Sequence, residues 1–197
     1  LCYPIFMFEL HPNYFLEKIF YPKYKKNILK NLARFLPKKG KVLDVGCDDG
    51  RIGKRLMQKN PRLRFCGIDI QDNRKSLIPR KIYDGKKIPY ADNSFDTVIT
   101  VDVLHHTKHI PTLLKEMKRV SRKTVIIKDQ ASNGLLSYVI ISLADWITNV
   151  FQGIKCVYNY PTLAKWKQMF KNQKLKLISL KKMQEAHPYN YFFVLKI

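Results

Sequence analysis

The stretch Val42-Leu43-Asp44-Val45-Gly46-Cys47-Asp48-Asp49-Gly50 constrains this chain more than any other. Residues 41–45 have strand character and run into a loop with two glycines. Arg51–Lys59 then carries a short helical pattern, stopped by Asn60-Pro61. A strand that ends in a glycine turn and feeds a helix is the opening unit of an open α/β sheet. One glycine allows the sharp turn, and the second lets the helix pack close to the strand. In such sheets a ligand binds in the crevice at the carboxyl ends of the strands.

The rest of the chain repeats the alternation. Residues 63–70, 80–83, Phe95–Val101 and 123–128 read as further strands, and 175–180 and 191–197 as two closing ones. Residues 12–36 read as helical, with Phe15, Ile19, Tyr24, Ile28, Leu32 and Leu36 recurring on one side and Pro22 splitting the region in two. Ile110–Val120 places Leu113, Leu114, Met117 and Val120 on one helix face. Two more helices are expected, an apolar one over 135–154 and another over 161–170. Only a polar loop ending in His187-Pro188-Tyr189-Asn190 separates the last two strands, which predicts an antiparallel hairpin at the sheet edge. The expectation is an α/β fold: a mostly parallel seven-stranded sheet with an antiparallel edge hairpin and helices on both faces. Residues 1–40 form an N-terminal helical cap and 41–197 the α/β unit, a single domain overall, as 197 residues suit.

Charge distinguishes between possible ligands. Asp69 ends the second strand, where a carboxylate accepts hydrogen bonds from a ribose diol. A dinucleotide would rest its pyrophosphate on the loop and helix start, which should then be neutral or positive. This loop instead carries Asp44, Asp48 and Asp49, and Asp48 holds the middle glycine position of G-x-G-x-x-G. Three carboxylates disfavour a nicotinamide dehydrogenase and suit a ligand with a positive charge and no phosphate.

These residues resemble the first motif of the class I S-adenosylmethionine-dependent methyltransferases, Asp44-Val45-Gly46-Cys47-Asp48-Asp49-Gly50 standing for the loop. Ile68-Asp69-Ile70 resembles the family's ribose-binding acid. Tyr83-Asp84-Gly85 resembles the segment that reaches the adenine, with Asp84 as acceptor from the exocyclic amine. Ile88-Pro89-Tyr90-Ala91-Asp92-Asn93-Ser94-Phe95-Asp96 and Val101-Asp102-Val103-Leu104-His105-His106 resemble the stretch into the fourth strand and its end beside the cofactor. The matches run in family order from 41 to about 129. They imply a Rossmann-like fold and S-adenosyl-L-methionine as cofactor. The implied binding set is Asp44, Gly46, Cys47, Asp48, Gly50, Asp69, Ile70, Asp84, Gly85, Val101 and Asp102. The departure is Asp48, whose side chain narrows the loop where the family has glycine; it keeps a non-catalytic cofactor-binding homologue open as an alternative. Past residue 129 the likeness is looser, through Asp145-Trp146, Asn149 and Tyr158-Asn159-Tyr160, and says little about the acceptor.

With the cofactor carrying the reactive group, the protein positions and desolvates. A general base is needed only where the acceptor must lose a proton. His105 and His106, just past the fourth strand, and Asp129, at the end of the fifth, are the candidate catalytic residues. Tyr158, Asn159 and Tyr160 are candidates for lining an acceptor pocket. The apolar 135–154 segment over the same sheet edge points to a small-molecule or lipid-like acceptor. The net charge of +22 suggests RNA instead, but no separate RNA-binding module and no Asn-Pro-Pro-aromatic tetrad is present.

Asp145 and Asn149 interrupt the apolar segment, which is too short to span a membrane, so a cytoplasmic location is expected, with peripheral membrane contact left open. Cys2, Cys47, Cys66 and Cys156 show no C-x-x-C spacing, so neither a metal site nor a disulfide framework is indicated. The chain opens on Leu1 rather than Met, which suggests a preceding piece. Its apolar start is too short for a signal peptide.

Overall fold

The computed structural model describes residues 21–72, 75–149, 156–183 and 188–197. In chain order the elements are α1 (Tyr21–Phe35), β1 (Gly40–Val45), α2 (Arg51–Lys59), β2 (Leu63–Asp69), β3 (Arg80–Ile82), β4 (Phe95–Val101), α3 (Ile110–Val120), β5 (Ser121–Gln130), α4 (Leu135–Asn149), α5 (Leu163–Asn172), β6 (Lys176–Met183) and β7 (Asn190–Lys196); a 3-10 turn, Leu104–His106, follows β4. Pro22 sits in the first turn of α1, where its missing N–H breaks no helical bond. The helix expected before it lies outside the described residues.

Seven strands form one sheet in the order β3-β2-β1-β4-β5-β7-β6. Strands β1 to β5 pair in parallel, so Val45, Asp69, Ile82, Val101 and Gln130 end at the same edge. The expected hairpin is present. β7 runs antiparallel to both β5 and β6, and β6 is the outermost strand.

Neighbouring residues on each strand point to opposite faces, and both faces are covered. Leu43, Val98, Ile127 and Phe193 pack against Leu114 and Met117 of α3 and against Trp166 and Phe170 of α5. Val42, Ile99, Ile126 and Phe192 pack against Ile28, Leu29 and Leu32 of α1 and Leu56 of α2. Gly53 lies where a Cβ would come within 2.9 Å of Phe65. That glycine, rather than Gly50, lets α2 settle on β2.

The exception to this burial is α4. Ile141 and Asp145 point inward, while Leu135, Leu136, Val139, Ile140, Leu143 and Trp146 are exposed. Among the described residues no helix is long and apolar enough to cross a membrane.

Candidate active site

The loop after β1 is shaped by backbone geometry. Gly46 takes φ +72, and a Cβ there would lie 2.4 Å from Val103 in the turn after β4, so only glycine fits. Asp48 takes φ +48, a left-handed conformation that explains why the family prefers glycine there and why Asp, one of the more tolerant side chains, is an acceptable substitute. Gly50 is also left-handed, at φ +73, with Ile78 of the β2–β3 connection against it. The Asp48 N–H donates to Asp69 Oδ2 at 2.8 Å and the Gln71 N–H to Asp69 Oδ1 at 3.1 Å, so Asp69 ties the loop to the end of β2. Each oxygen keeps a lone pair for a further donor. Asp49 turns away, capping α2 through the Arg51 N–H and pairing with the Arg51 guanidinium at 2.5 Å.

Asp44 lies beneath this loop. It is fully buried, and its Oδ2 has no hydrogen-bond partner among the described residues. Burial and the nearby Asp69 charge push its carboxyl up to about 7. Beside it, burial and the charge of Asp44 raise the Cys47 thiol to about 12. At the outer end of the edge Ile70 is 61% exposed, and Gly85 (φ +74) approaches it closely enough that a Cβ would lie 3.2 Å from its side chain. Asp84 Oδ1 accepts from the Lys86 and Lys87 N–H groups at 2.8 and 2.9 Å, which holds its carboxyl below the usual range.

On the other side of β4 the polar contacts are made by side chains. Asp129, wholly buried at the end of β5, accepts from the Leu104 N–H at 2.8 Å and the Gln130 N–H at 2.7 Å, and meets His105 Nδ1 at 2.6 Å. His105 Nε2 faces Asp145 Oδ1 of α4 at 3.5 Å, and His106 Nε2 lies 3.9 Å from the same oxygen. Tyr160 donates its hydroxyl to Asp145 Oδ2 at 2.7 Å. Burial opposes charge on His105, but Asp129, with Asp145 and Asp102 behind it, pushes the ring up to about 10. Burial and the charge of His105 hold His106 below the usual histidine range. Behind this cluster the buried Lys128 bonds Asn190 Oδ1 at 2.6 Å and Asp102, joining β4, β5 and β7.

A family profile described as a methyltransferase domain matches residues 15–180. The chain belongs to the class I S-adenosylmethionine-dependent methyltransferases. Among relatives, it is 35% identical over 88 residues to the tRNA U34 carboxymethyltransferase of Nautilia profundicola, covering 39% of this chain and 29% of that one. It is 33% identical over 97 residues to the ubiquinone/menaquinone biosynthesis C-methyltransferase UbiE of Neisseria meningitidis, covering 43% and 40%. The chain thus spans less than half the length of these two relatives. Among solved structures, the PH0226 protein of Pyrococcus horikoshii superposes with a TM-score of 0.67 at 18% identity, over 89% of this chain and 90% of that one. Magnesium protoporphyrin IX methyltransferase from Synechocystis, solved with bound SAH, gives 0.65 at 14% identity, over 90% and 84%.

In this chain the residues singled out from sequence fall into two groups. Asp44, Gly46, Cys47, Asp48, Gly50 and Asp69 gather at the ends of β1 and β2, with Ile70, Asp84 and Gly85 further out along the same edge. Val101 and Asp102 end β4, where Asp102 is engaged by Lys128. His105, His106 and Asp129 come together on the opposite side, with Tyr160 stacked 5.7 Å from His105. Tyr158 and Asn159 instead hold segments in place: Tyr138 donates to the Tyr158 carbonyl, and Asn159 to the Thr107 carbonyl. Asp145 was not among the expected site residues. Its signal was available, since a lone acid in an otherwise apolar helix must face a partner inside the fold.

Proposed function

We propose that this chain transfers the methyl group of S-adenosyl-L-methionine to a small-molecule or lipid-like acceptor. The observation that carries the donor is Asp44 Oδ2, a buried carboxylate oxygen under a glycine loop with no hydrogen-bond partner among the described residues. An ionised carboxylate in that position is costly alone and favourable beside a cation. A ligand with a protonated amino group and a sulfonium suits it, whereas a pyrophosphate does not. The remaining lone pairs of Asp69 suit a ribose diol, and the exposed Ile70 beside Gly85 offers a flat base an apolar face. When bound, the donor supplies an electrophilic methyl group for in-line displacement. The chain's own residues hold the donor, exclude water and, where the acceptor loses a proton, provide His106, the ring held below the usual histidine range, to receive it, with His105 and Asp129 positioned behind it.

The apolar face of α4 favours an acceptor with apolar character. Its exposed leucines, Val139, Ile140 and Trp146 lie on the helix that also brings Asp145 to the histidines. Fifteen residues span only about 22 Å, so this face suits an apolar acceptor or peripheral contact with the membrane that carries it. RNA is the second reading. It draws on the +22 charge and on two relatives named for tRNA, a tRNA U34 carboxymethyltransferase from Nautilia profundicola and a tRNA (carboxymethyluridine(34)-5-O)-methyltransferase from Schizosaccharomyces pombe.

The test is a binding and labelling pair. Asp69→Ala should weaken S-adenosylmethionine binding in calorimetry by about 10- to 100-fold, the worth of a hydrogen-bonded charged group. Unchanged affinity would remove the proposed ribose contact. Radiolabelled donor incubated with fractionated extract should then label small-molecule or lipid fractions, whereas label in RNA would replace the preferred acceptor class with the second.

A further inference from the structure

The acceptor-side cluster brings three potential metal donors together. One donor atom each from His105, His106 and Asp145 lies within 4.8 Å of the other two, and His105 and Asp145 are buried. Two of them are turned to the shared point by a contact on the far side. Asp129 takes His105 Nδ1 at 2.6 Å, which directs Nε2 toward Asp145. Tyr160 takes Asp145 Oδ2 at 2.7 Å, which leaves Oδ1 facing the rings. His106 follows His105 in the 3-10 turn, with the ring centroids 4.1 Å apart.

The distances separate two explanations. If His105 were only an imidazolium between two carboxylates, both would be expected to close on it, but one stands at 2.6 Å and the other at 3.5 Å. The longer value exceeds an ordinary hydrogen bond, for which N to O is about 2.7–3.2 Å. Two donors on one tetrahedral ion, each bonded at about 2.0–2.2 Å, stand about 3.4 Å apart. The contacts to Asp145 Oδ1, 3.5 and 3.9 Å, lie near that spacing. Asp129 behind His105 is the carboxylate–histidine support that metal ligands characteristically have. Charge also balances, because the carboxylates of Asp129 and Asp145 together offset a divalent ion.

We infer that His105, His106 and Asp145 form a binding site for a divalent transition-metal ion of the zinc class, with Asp129 as the residue that orients the first ligand. Two imidazoles and a carboxylate leave a fourth position open. The His106 side chain is 22% exposed against 2% and 3% for the other two, so the open position faces the side from which an acceptor arrives. An ion there would draw electron density from an acceptor oxygen and ease loss of its proton, taking over that task from a free imidazole. No cysteine is among the three donors, which is why cysteine spacing gave no sign of the site.

The test uses the untagged chain, stripped by a chelator and dialysed against Zn2+ or Co2+, and needs neither methyl donor nor acceptor. Its failure would therefore leave the methyltransferase reading intact. One ion should remain per chain, and the Co2+ form should show the intense visible bands of four- or five-coordination. Asp145→Asn and His106→Ala should lose the ion while keeping the circular dichroism of the parent, and Asp129→Asn should weaken binding by about 10- to 100-fold. Less than one retained ion in the parent overturns the inference. So does retention unchanged in Asp145→Asn and His106→Ala, or a Co2+ spectrum of pale six-coordinate form. Should the variants fail to fold, the stoichiometry and spectrum of the parent decide alone.

Discussion

The two sides of β4 solve the same problem, holding polar groups in a crevice, by different means. The loop after β1 is made from one short run, 44–50, and its shape is set by main-chain torsions at Gly46, Asp48 and Gly50 and by N–H groups donated to Asp69. The opposite side is assembled from β4, β5, α4 and the segment before α5. It is held by side-chain contacts among His105, Asp129, Asp145 and Tyr160. In the backbone-built cradle Asp44 Oδ2 has no hydrogen-bond partner among the described residues. A side-chain network uses most of its polar atoms on itself and, among the described residues, leaves His106 Nδ1 without a hydrogen-bond partner.

If this division holds, perturbing each side should move a different quantity. The largest effect is expected from His106→Ala: for an acceptor that loses a proton, kcat should fall by about 10²–10⁴, with donor affinity in calorimetry unchanged. A matching fall in donor affinity would mean that the two sides are one site. Asp44 supplies the intermediate effect. With its carboxyl at about 7, the free chain holds a proton below that pH which a cationic ligand must displace. Donor affinity should therefore fall by up to about ten-fold per pH unit below 7, and Asp44→Asn should flatten the profile. The same proton gives a stability signature. It is bound by the folded chain and released by the unfolded one between about 4 and 7. Stability from this group is greatest at the acid end and lost as pH rises to 7. The smallest effect belongs to Asp48→Gly, which should relieve the left-handed torsion and raise stability by about 1 kcal/mol or less in thermal denaturation, with the fold of the loop unchanged.

The same division governs what was legible in the sequence. The glycine loop, the acid ending β2 and the alternation of strands and helices were all readable, because each is a local pattern with one conformational solution. β4 and α3 emerged with the bounds expected, β4 as a largely apolar run and α3 through the apolar stripe of Leu113, Leu114, Met117 and Val120. β5 proved longer than the apolar 123–128, since Ser121 and Gln130 join the ladder through backbone bonds that do not depend on side-chain type. Asp145 was visible as a charge interrupting an apolar run, but its partner was not. The contact with His105 depends on how α4 crosses the sheet edge, and no spacing encodes that. Asp84 shows the opposite case, because the Asp-Gly pair reads equally as a ligand contact and as a turn, and its carboxylate does hold the turn.

The position of β7 has a consequence for how the protein comes into being. This strand lies between β5 and β6, although it follows both in the chain. Until Asn190–Lys196 emerges from the ribosome, β5 presents an open row of main-chain donors and acceptors beside Val125 and Ile127. β6 meanwhile has no neighbour with which to pair. Nascent chains at this stage carry an adhesive edge that a second copy could occupy, so the interval before the last strand arrives is when newborn molecules are most prone to associate.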